Sequence, residues 1–295
     1  LSRFGGDGLN MLLHIRHETV YRYDRPANRS VQSLRLTPRT EAGQRVLAWE
    51  LQAPGRRSQQ LDAFGNVMHL LSIDEPHSEI HIQVSGTVET EDVPDSSPSA
   101  RGALSPLVYV AETPLTRADA HLEQFAREHG RPRLDREGAM QLAGAVRSTL
   151  EYVPGATEVY DTAAHAFSLR RGVCQDHAHV MLACCRVLKV PARYVSGYLL
   201  TQQDEHIASH AWVDVWLEQD NRWFAIDVTH HAPGGPHHCR LAVGRDYLDA
   251  CPVRGVRRGG GQETMTATVA VSAGAAEPRM AASRPRLLQQ RQAQQ

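Results

Sequence analysis

Three side chains in the second half of the sequence have the types needed to cleave an amide: a thiol, an imidazole and a carboxylate. Cys174 follows Gly172-Val173 and opens a stretch in which Ala178, Met181, Leu182, Cys185 and Leu188 recur at helical spacing. The first amides of a helix lack intrahelical acceptors and present positive potential. They stabilise a thiolate, and they can donate to the oxyanion formed when sulfur attacks a carbonyl. His210 begins the strand-like run Ser209 to Trp216, and Asp227 ends the run that starts at Trp223. If these runs form an antiparallel hairpin, the start of one lies near the end of the other. A turn centred near residues 218–219 pairs His210 with Asp227 directly, whereas one centred on Asp220-Asn221 offsets them and calls for a bulge or an asymmetric loop. In such an arrangement His210 takes the thiol proton, Asp227 orients the ring and stabilises its charge, and the ring later protonates a leaving amine. Each residue alone has an ordinary structural reading as a core cysteine, a surface histidine or a turn aspartate. The conjunction carries the chemistry.

Other polar residues nearby read as structural. Asp176 suits the start of a helix but opposes a thiolate, so it reads as a helix-start residue rather than a second base. His177 and His179 read as packing or surface residues. Trp212 and Trp216 share the parity of His210 and read as core or as cleft wall. His230, His231, His237, His238 and Cys239 are a dense group of zinc-type donors. Pro233-Gly234-Gly235-Pro236 interrupts them without an ordered ligand spacing, so no metal site is assigned. A thiol with its base needs no cofactor, and none is expected.

The elements that must hold these residues change character along the chain. Residues 11–95 read as a β-rich unit of the sandwich or barrel type: Leu13, Ile15, Thr19, Tyr21 and Tyr23, then Leu47, Trp49 and Leu51, then Ile80, Ile82, Val84 and Val88 fall at even spacing between turn clusters. Residues 96–112, rich in Pro, Ser and Gly, read as a linker. Residues 113–271 switch to helical periodicity. Thr116, Asp135 and Thr162 are candidate caps of three helices, the last ending at Gly172. The helix of Cys174 follows and ends before Pro191, and strands are expected at 192–200, 209–217 and 223–228, with a last one at 264–271. Helices grouped before strands predict an α+β unit with an antiparallel sheet. Residues 272–295 read as a disordered tail.

Composition narrows the function classes. A chain of 295 residues suits two domains, and 41% hydrophobic with 22% charged residues is ordinary globular usage. A net charge of -1 speaks against a broad basic field for nucleic acid. No apolar run approaches the ~20 residues that span a bilayer. Five cysteines, two of them adjacent at Cys184-Cys185, suit reduced thiols, and the first ten residues lack the apolar core of a signal peptide. Both point to the cytoplasm. Met11 opens a clean strand pattern and is a candidate initiator.

The runs Gly172-Val173-Cys174-Gln175-Asp176-His177-Ala178-His179, Pro191-Ala192-Arg193-Tyr194-Val195-Ser196-Gly197-Tyr198, Ser209-His210-Ala211-Trp212 and Asp227-Val228-Thr229 resemble the bacterial transglutaminase-like superfamily. So do Val243-Gly244-Arg245-Asp246-Tyr247 and Pro252-Val253-Arg254-Gly255, and the run His14 to Tyr23 is similar to the β-rich domain that precedes this core. The resemblance implies a papain-like core with a Cys-His-Asp triad at Cys174, His210 and Asp227. The implied chemistry is acyl transfer from a polypeptide or other amide through a thioester. Water is the default acceptor, making a protease or amidase; an amine acceptor would make a crosslinking transglutaminase, and a fold kept without turnover would make a binding scaffold. The chain departs from the family pattern at Val228, where Pro is usual, and at His230-His231, where Asn or Gly usually follows the Thr.

Overall fold

The computed structural model describes residues 10–92, 104–201 and 209–274. The N-terminal strands are β1 (Met11–Leu34), β2 (Gln44–Gln52), β3 (Arg56–Leu61), β4 (Val67–Ile73) and β5 (His77–Thr90). Alternation along β1 turns Leu13, Ile15, His17, Thr19 and Tyr23 inward. β1 is long enough to serve two sets of neighbours. Its first half pairs with β5, and the register shifts between Arg22 and Ala27, around Pro26, before its second half pairs with β4. The sheet order is β2-β5-β1-β4-β3.

The helical part holds α1 (Ala120–His129), α2 (Arg136–Thr149), α3 (Ala163–Leu169) and α4 (Cys174–Val187), with the short parallel pair β6 (Glu151–Tyr152) and β7 (Arg171–Gly172) beside them. Asp135 caps α2 through the Gly138 amide and Thr162 caps α3 through the His165 amide. The expected cap Thr116 is not one. α1 starts later, capped by Asp119 at the Leu122 amide, because the Thr116 hydroxyl is already bonded to that of Thr113 at 2.7 Å inside a buried turn. α3 ends at Arg170, whose φ of 52° stops the helix two residues before Gly172.

The second sheet is antiparallel throughout. It contains β8 (Ala192–Leu199), β9 (Ser209–Leu217), β10 (Arg222–Asp227), β11 (Ala232–Pro233) and β12 (His238–Gly244) in the order β11-β10-β9-β8-β12. α4 lies on its face, packing Ala178, Met181, Leu182 and Cys185 into one core with Val213, Val215, Phe224 and Ile226. The chain continues through α5 (Tyr247–Ala250) into β13 (Val253–Gly259) and β14 (Glu263–Gly274). These last two strands leave the second sheet and pair with β1, so residues 253–274 complete the first sheet. Residues 272–274 belong to β14; the remainder of the expected tail, residues 1–9 and residues 96–103 of the expected linker lie outside the described residues. Together these elements form a mixed fold in which a curled, strand-rich sheet accompanies an α+β core.

The two parts are sealed along β12. Among the described strands this edge strand pairs only with β8, and side-chain amides of the first sheet occupy its open side. Gln44 donates to the Arg240 carbonyl and accepts from its amide, at 2.9 and 2.7 Å. Asn66 does the same for Val243, at 2.8 Å in both directions. A strand edge that would otherwise be unpaired is thereby satisfied. Tyr198, Cys239 and Leu241 reach into the core of the first sheet.

Candidate active site

Cys174 is the first residue of α4. The first helical hydrogen bonds come from the Asp176 and His177 amides to the Val173 carbonyl, which leaves the Cys174 and Gln175 amides without an intrahelical acceptor. Asp176 closes the helix start from within. Its Oδ2 accepts the Val173 amide at 2.7 Å and the Thr157 hydroxyl at 2.6 Å. Asp176 is therefore the helix-start residue the sequence predicts. A side chain on Gly172 would collide with that carboxylate, so glycine is required where the chain enters the helix.

His210 and Asp227 come from the β9–β10 hairpin. Its register sets Leu217 opposite Arg222 and Val213 opposite Ile226. The turn therefore lies between the two positions considered from sequence, and Asp227 stands diagonally across from His210 on the same face, within side-chain reach and without a bulge. His210 Nε2 donates to Asp227 Oδ2 at 2.8 Å, with both side chains fully buried. The other ring nitrogen, Nδ1, is buried and has no hydrogen-bond partner among the described residues. The Cys174 thiol is close enough for its charge to raise the ring. Trp212 stacks on the ring at 6.3 Å between centroids, and so walls the site; Trp216 instead packs on Trp223. The structure thus brings Cys174, His210 and Asp227 together around one imidazole.

The electrostatics favour a charged pair. Burial opposes a charge on His210, but the Asp227 hydrogen bond and the charges of Cys174 and Asp227 outweigh it and push the imidazole up to about 10. Burial would likewise raise Asp227, yet donors from His210, His230 and His238 hold it well below the usual carboxylate range. His230 Nδ1 and His238 Nε2 reach Oδ2 at 2.8 and 3.1 Å, and the His230 amide reaches Oδ1 at 3.1 Å. The sequence marks these two histidines only as zinc-type donors. The donor atoms of His210, Asp227 and His238 all lie within 4.8 Å of one another. They do not suit a cation, because His238 Nδ1 accepts the Gly235 amide at 3.3 Å and its Nε2 therefore carries a proton. The rest of the dense group disperses. His231 Nε2 donates to the Met140 carbonyl, His237 is exposed, and Cys239 is buried in the first sheet's core.

Two more histidines of α4 are structural. His177 donates from Nε2 to the Leu150 carbonyl and accepts the Thr229 hydroxyl at Nδ1, which ties the segment after Asp227 to the helix. Burial lowers it to about 4. His179 accepts the Tyr247 amide at Nε2, and burial lowers it to about 3. Tyr152, which the sequence did not single out, is half-buried, with its ring 6.1 Å from that of His177. Burial, then the charge of Cys174, raise its hydroxyl.

Both parts of the chain resemble known proteins. Residues 13–89 match the bacterial transglutaminase-like N-terminal region, and residues 123–228 match the transglutaminase-like superfamily. The uncharacterized protein ML0607 of Mycobacterium leprae is 31% identical over 280 residues, covering 88% of this chain and 98% of that protein. The uncharacterized protein Rv2569c of Mycobacterium tuberculosis is 31% identical over 270 residues, covering 82% of this chain and 86% of that one. A crystal structure of a candidate cysteine protease from Cytophaga hutchinsonii superposes with a TM-score of 0.73 at 20% identity, over 91% of this chain and 92% of that one, and so shares the fold. With an N-terminal region and a core that both match, and relatives alike over nearly their whole length, this chain belongs to the transglutaminase-like superfamily.

Proposed function

We propose that the protein is a cysteine-dependent hydrolase of amide bonds in polypeptides, with Cys174 as nucleophile, His210 as base and acid, and Asp227 as the group that orients and charges the ring. The observation that carries this reading is the His210 imidazole, which is hydrogen-bonded to a buried carboxylate at 2.8 Å and has the charge of a helix-start thiol acting on it. Proton transfer from Cys174 to His210 gives a thiolate–imidazolium pair. The thiolate attacks the amide carbon, and the Cys174 and Gln175 amides are placed to receive the oxyanion. The C–N bond breaks as His210 gives its proton to the leaving amine, which leaves a thioester. Water then loses a proton to His210 and attacks the thioester, releasing the acid and the thiol. An amine in place of that water would give transglutamination by the same route. The cycle uses no cofactor. The five free thiols, with Cys184 beside Cys185, suit a reducing compartment, and we infer a cytoplasmic location. Among the described residues no helix is long and apolar enough to cross a membrane.

The test is digestion of a peptide library by wild type and Cys174→Ala, with and without an added primary amine. Cleavage by wild type alone, unaffected by amine, is the expected result. Amine incorporation without cleavage replaces hydrolysis by crosslinking, and identical behaviour of wild type and variant removes the enzyme. Alkylation gives an independent check. Cys174 should react with iodoacetamide well before the other four thiols, all of which are buried and pushed up by that burial.

A further inference from the structure

Asp227 Oδ2 accepts three imidazole N–H groups, and the mechanism above uses only one. The three differ in how they are held. His230 is three residues from Asp227, in the turn that follows β10, and its side chain is 46% exposed, so water can replace it. His238 comes from β12, at the far edge of the second sheet, and its side chain is only 12% exposed. Every contact fixes its direction. The Gly235 amide occupies Nδ1 and so assigns the proton to Nε2, while Trp212 packs against the ring at 5.1 Å with an interplanar angle of 71°. Its backbone is fastened from the first sheet: the Thr90 hydroxyl donates to the Pro236 carbonyl, and Gln44 brackets both backbone groups of Arg240. The first sheet therefore reaches the carboxylate through one segment, residues 235–240, fastened at both ends.

We propose that His238 is a positioning residue of the active site, anchored by the N-terminal sheet, which holds Asp227 Oδ2 in place and shares that oxygen with His210. The inference rests on the reading of Cys174, His210 and Asp227 as the reacting groups. A carboxylate oxygen that served His210 alone would grip the imidazolium more tightly and make it slower to release its proton to the leaving amine. Sharing the oxygen lowers that grip while the geometry stays fixed. The titratable groups around His210 are Cys174 and His177 from α4, Asp227 from β10, His230 from the turn after it, and His238 from β12.

The test reads the ring through Cys174 and needs no substrate. Iodoacetate is negatively charged, so its rate at a thiolate falls as the neighbouring imidazolium loses its proton, whereas the neutral iodoacetamide lacks this dependence. The ratio of the two rates against pH gives the upper limb of the pair. In the full chain, His238→Phe removes the donor and keeps a ring. Its limb should move up by about one pH unit, the size expected for losing one hydrogen bond to a charged acceptor. His238→Gln, which returns an N–H to the position of Nε2, should bring the limb back to within about a third of a unit of wild type. Thr90→Val loosens the anchor without touching the ring and should shift the limb in the same direction by less, which keeps the proposal testable if His238→Phe does not fold. A limb that is present in wild type and unmoved in His238→Phe and Thr90→Val overturns the inference alone. A His238→Gln limb displaced as far as that of His238→Phe also overturns it, because the ring would then act by bulk. A wild-type Cys174 with no limb overturns the reading of the three reacting groups, and this inference with it.

Discussion

Asp227 is fully buried and still charged, and the charge survives because N–H donors surround it. Asp227→Asn keeps the shape but turns one acceptor oxygen into a donor, which allows the His210 ring to settle in the wrong tautomer. Activity on a library-selected peptide should fall by about 10³–10⁴ in kcat, while the circular dichroism spectrum stays that of wild type. Asp176 supports Cys174 from the other side, by closing the helix start. Asp176→Ala frees the Val173 amide and the Thr157 hydroxyl; it should cost about 1–2 kcal/mol in urea unfolding and slow Cys174 alkylation as the first turn loosens. The three side chains proposed to react can be picked out of the sequence, since a cysteine at a helix start and a His and an Asp on successive strands have few uses in common. His230 and His238 cannot. An imidazole that donates to a carboxylate has the same letter as one that binds zinc, and the Pro-Gly-Gly-Pro segment between them has no periodicity from which a direction could be read.

At the scale of elements, the site depends on strand register. The strands of the hairpin were legible from their apolar runs, but the turn centre was not, because Glu218 to Arg222 offers several polar residues in succession. Packing decided it. With Val213 opposite Ile226, both enter the core under α4, and the same choice leaves His210 and Asp227 diagonal on one face. The cap of α1 was misplaced for a similar reason: Thr116 and Asp119 are both competent caps, and a hydroxyl pair buried in the turn removed one of them. Gly197 exposes this dependence. It stands opposite His210 in the β8–β9 ladder and opposite Arg240 in the β8–β12 ladder. A methyl group there would strike the Cys239 carbonyl and the Trp212 ring. Gly197→Ala should destabilise the protein by about 1–3 kcal/mol and lower activity by more than stability alone explains, because the ring it displaces stacks on His210. Gly235, with open space around its added Cβ, is the control: Gly235→Ala should leave the unfolding midpoint unchanged.

At the scale of the whole molecule, the described chain begins and ends in one sheet, with β1 between β5 on one side and β13 and β14 on the other. Alternation revealed these strands, but a period of two cannot say which strand lies beside which when the partners are separated by the entire core. The pairing joins both parts into a single unit with buried neutral histidines on either side of the joint. His17, bonded to Thr19 and Tyr198, lies in the first sheet, and burial lowers it to about 4. His177 and His179 lie in the core, lowered to about 4 and 3. Each would take up a proton at about pH 6.5 once unfolded. The unfolded chain therefore binds more protons as pH drops below that value, and stability falls, by up to about 1.4 kcal/mol per pH unit for each histidine, until the native rings protonate. His210 has the opposite sign. Raised to about 10, it contributes in full below pH 6.5 and loses that contribution as pH climbs toward 10, so it does not offset the acid side. The depressed Asp227 begins to lose its contribution only below the ordinary carboxylate range near pH 4. Between pH 6.5 and about 4 the three histidines therefore dominate among these groups. Urea unfolding across that window should show a midpoint that drops steadily with pH in a single transition common to tryptophan fluorescence and far-ultraviolet circular dichroism. A flat midpoint contradicts the buried, neutral state of these rings, and two separate transitions contradict the single folding unit.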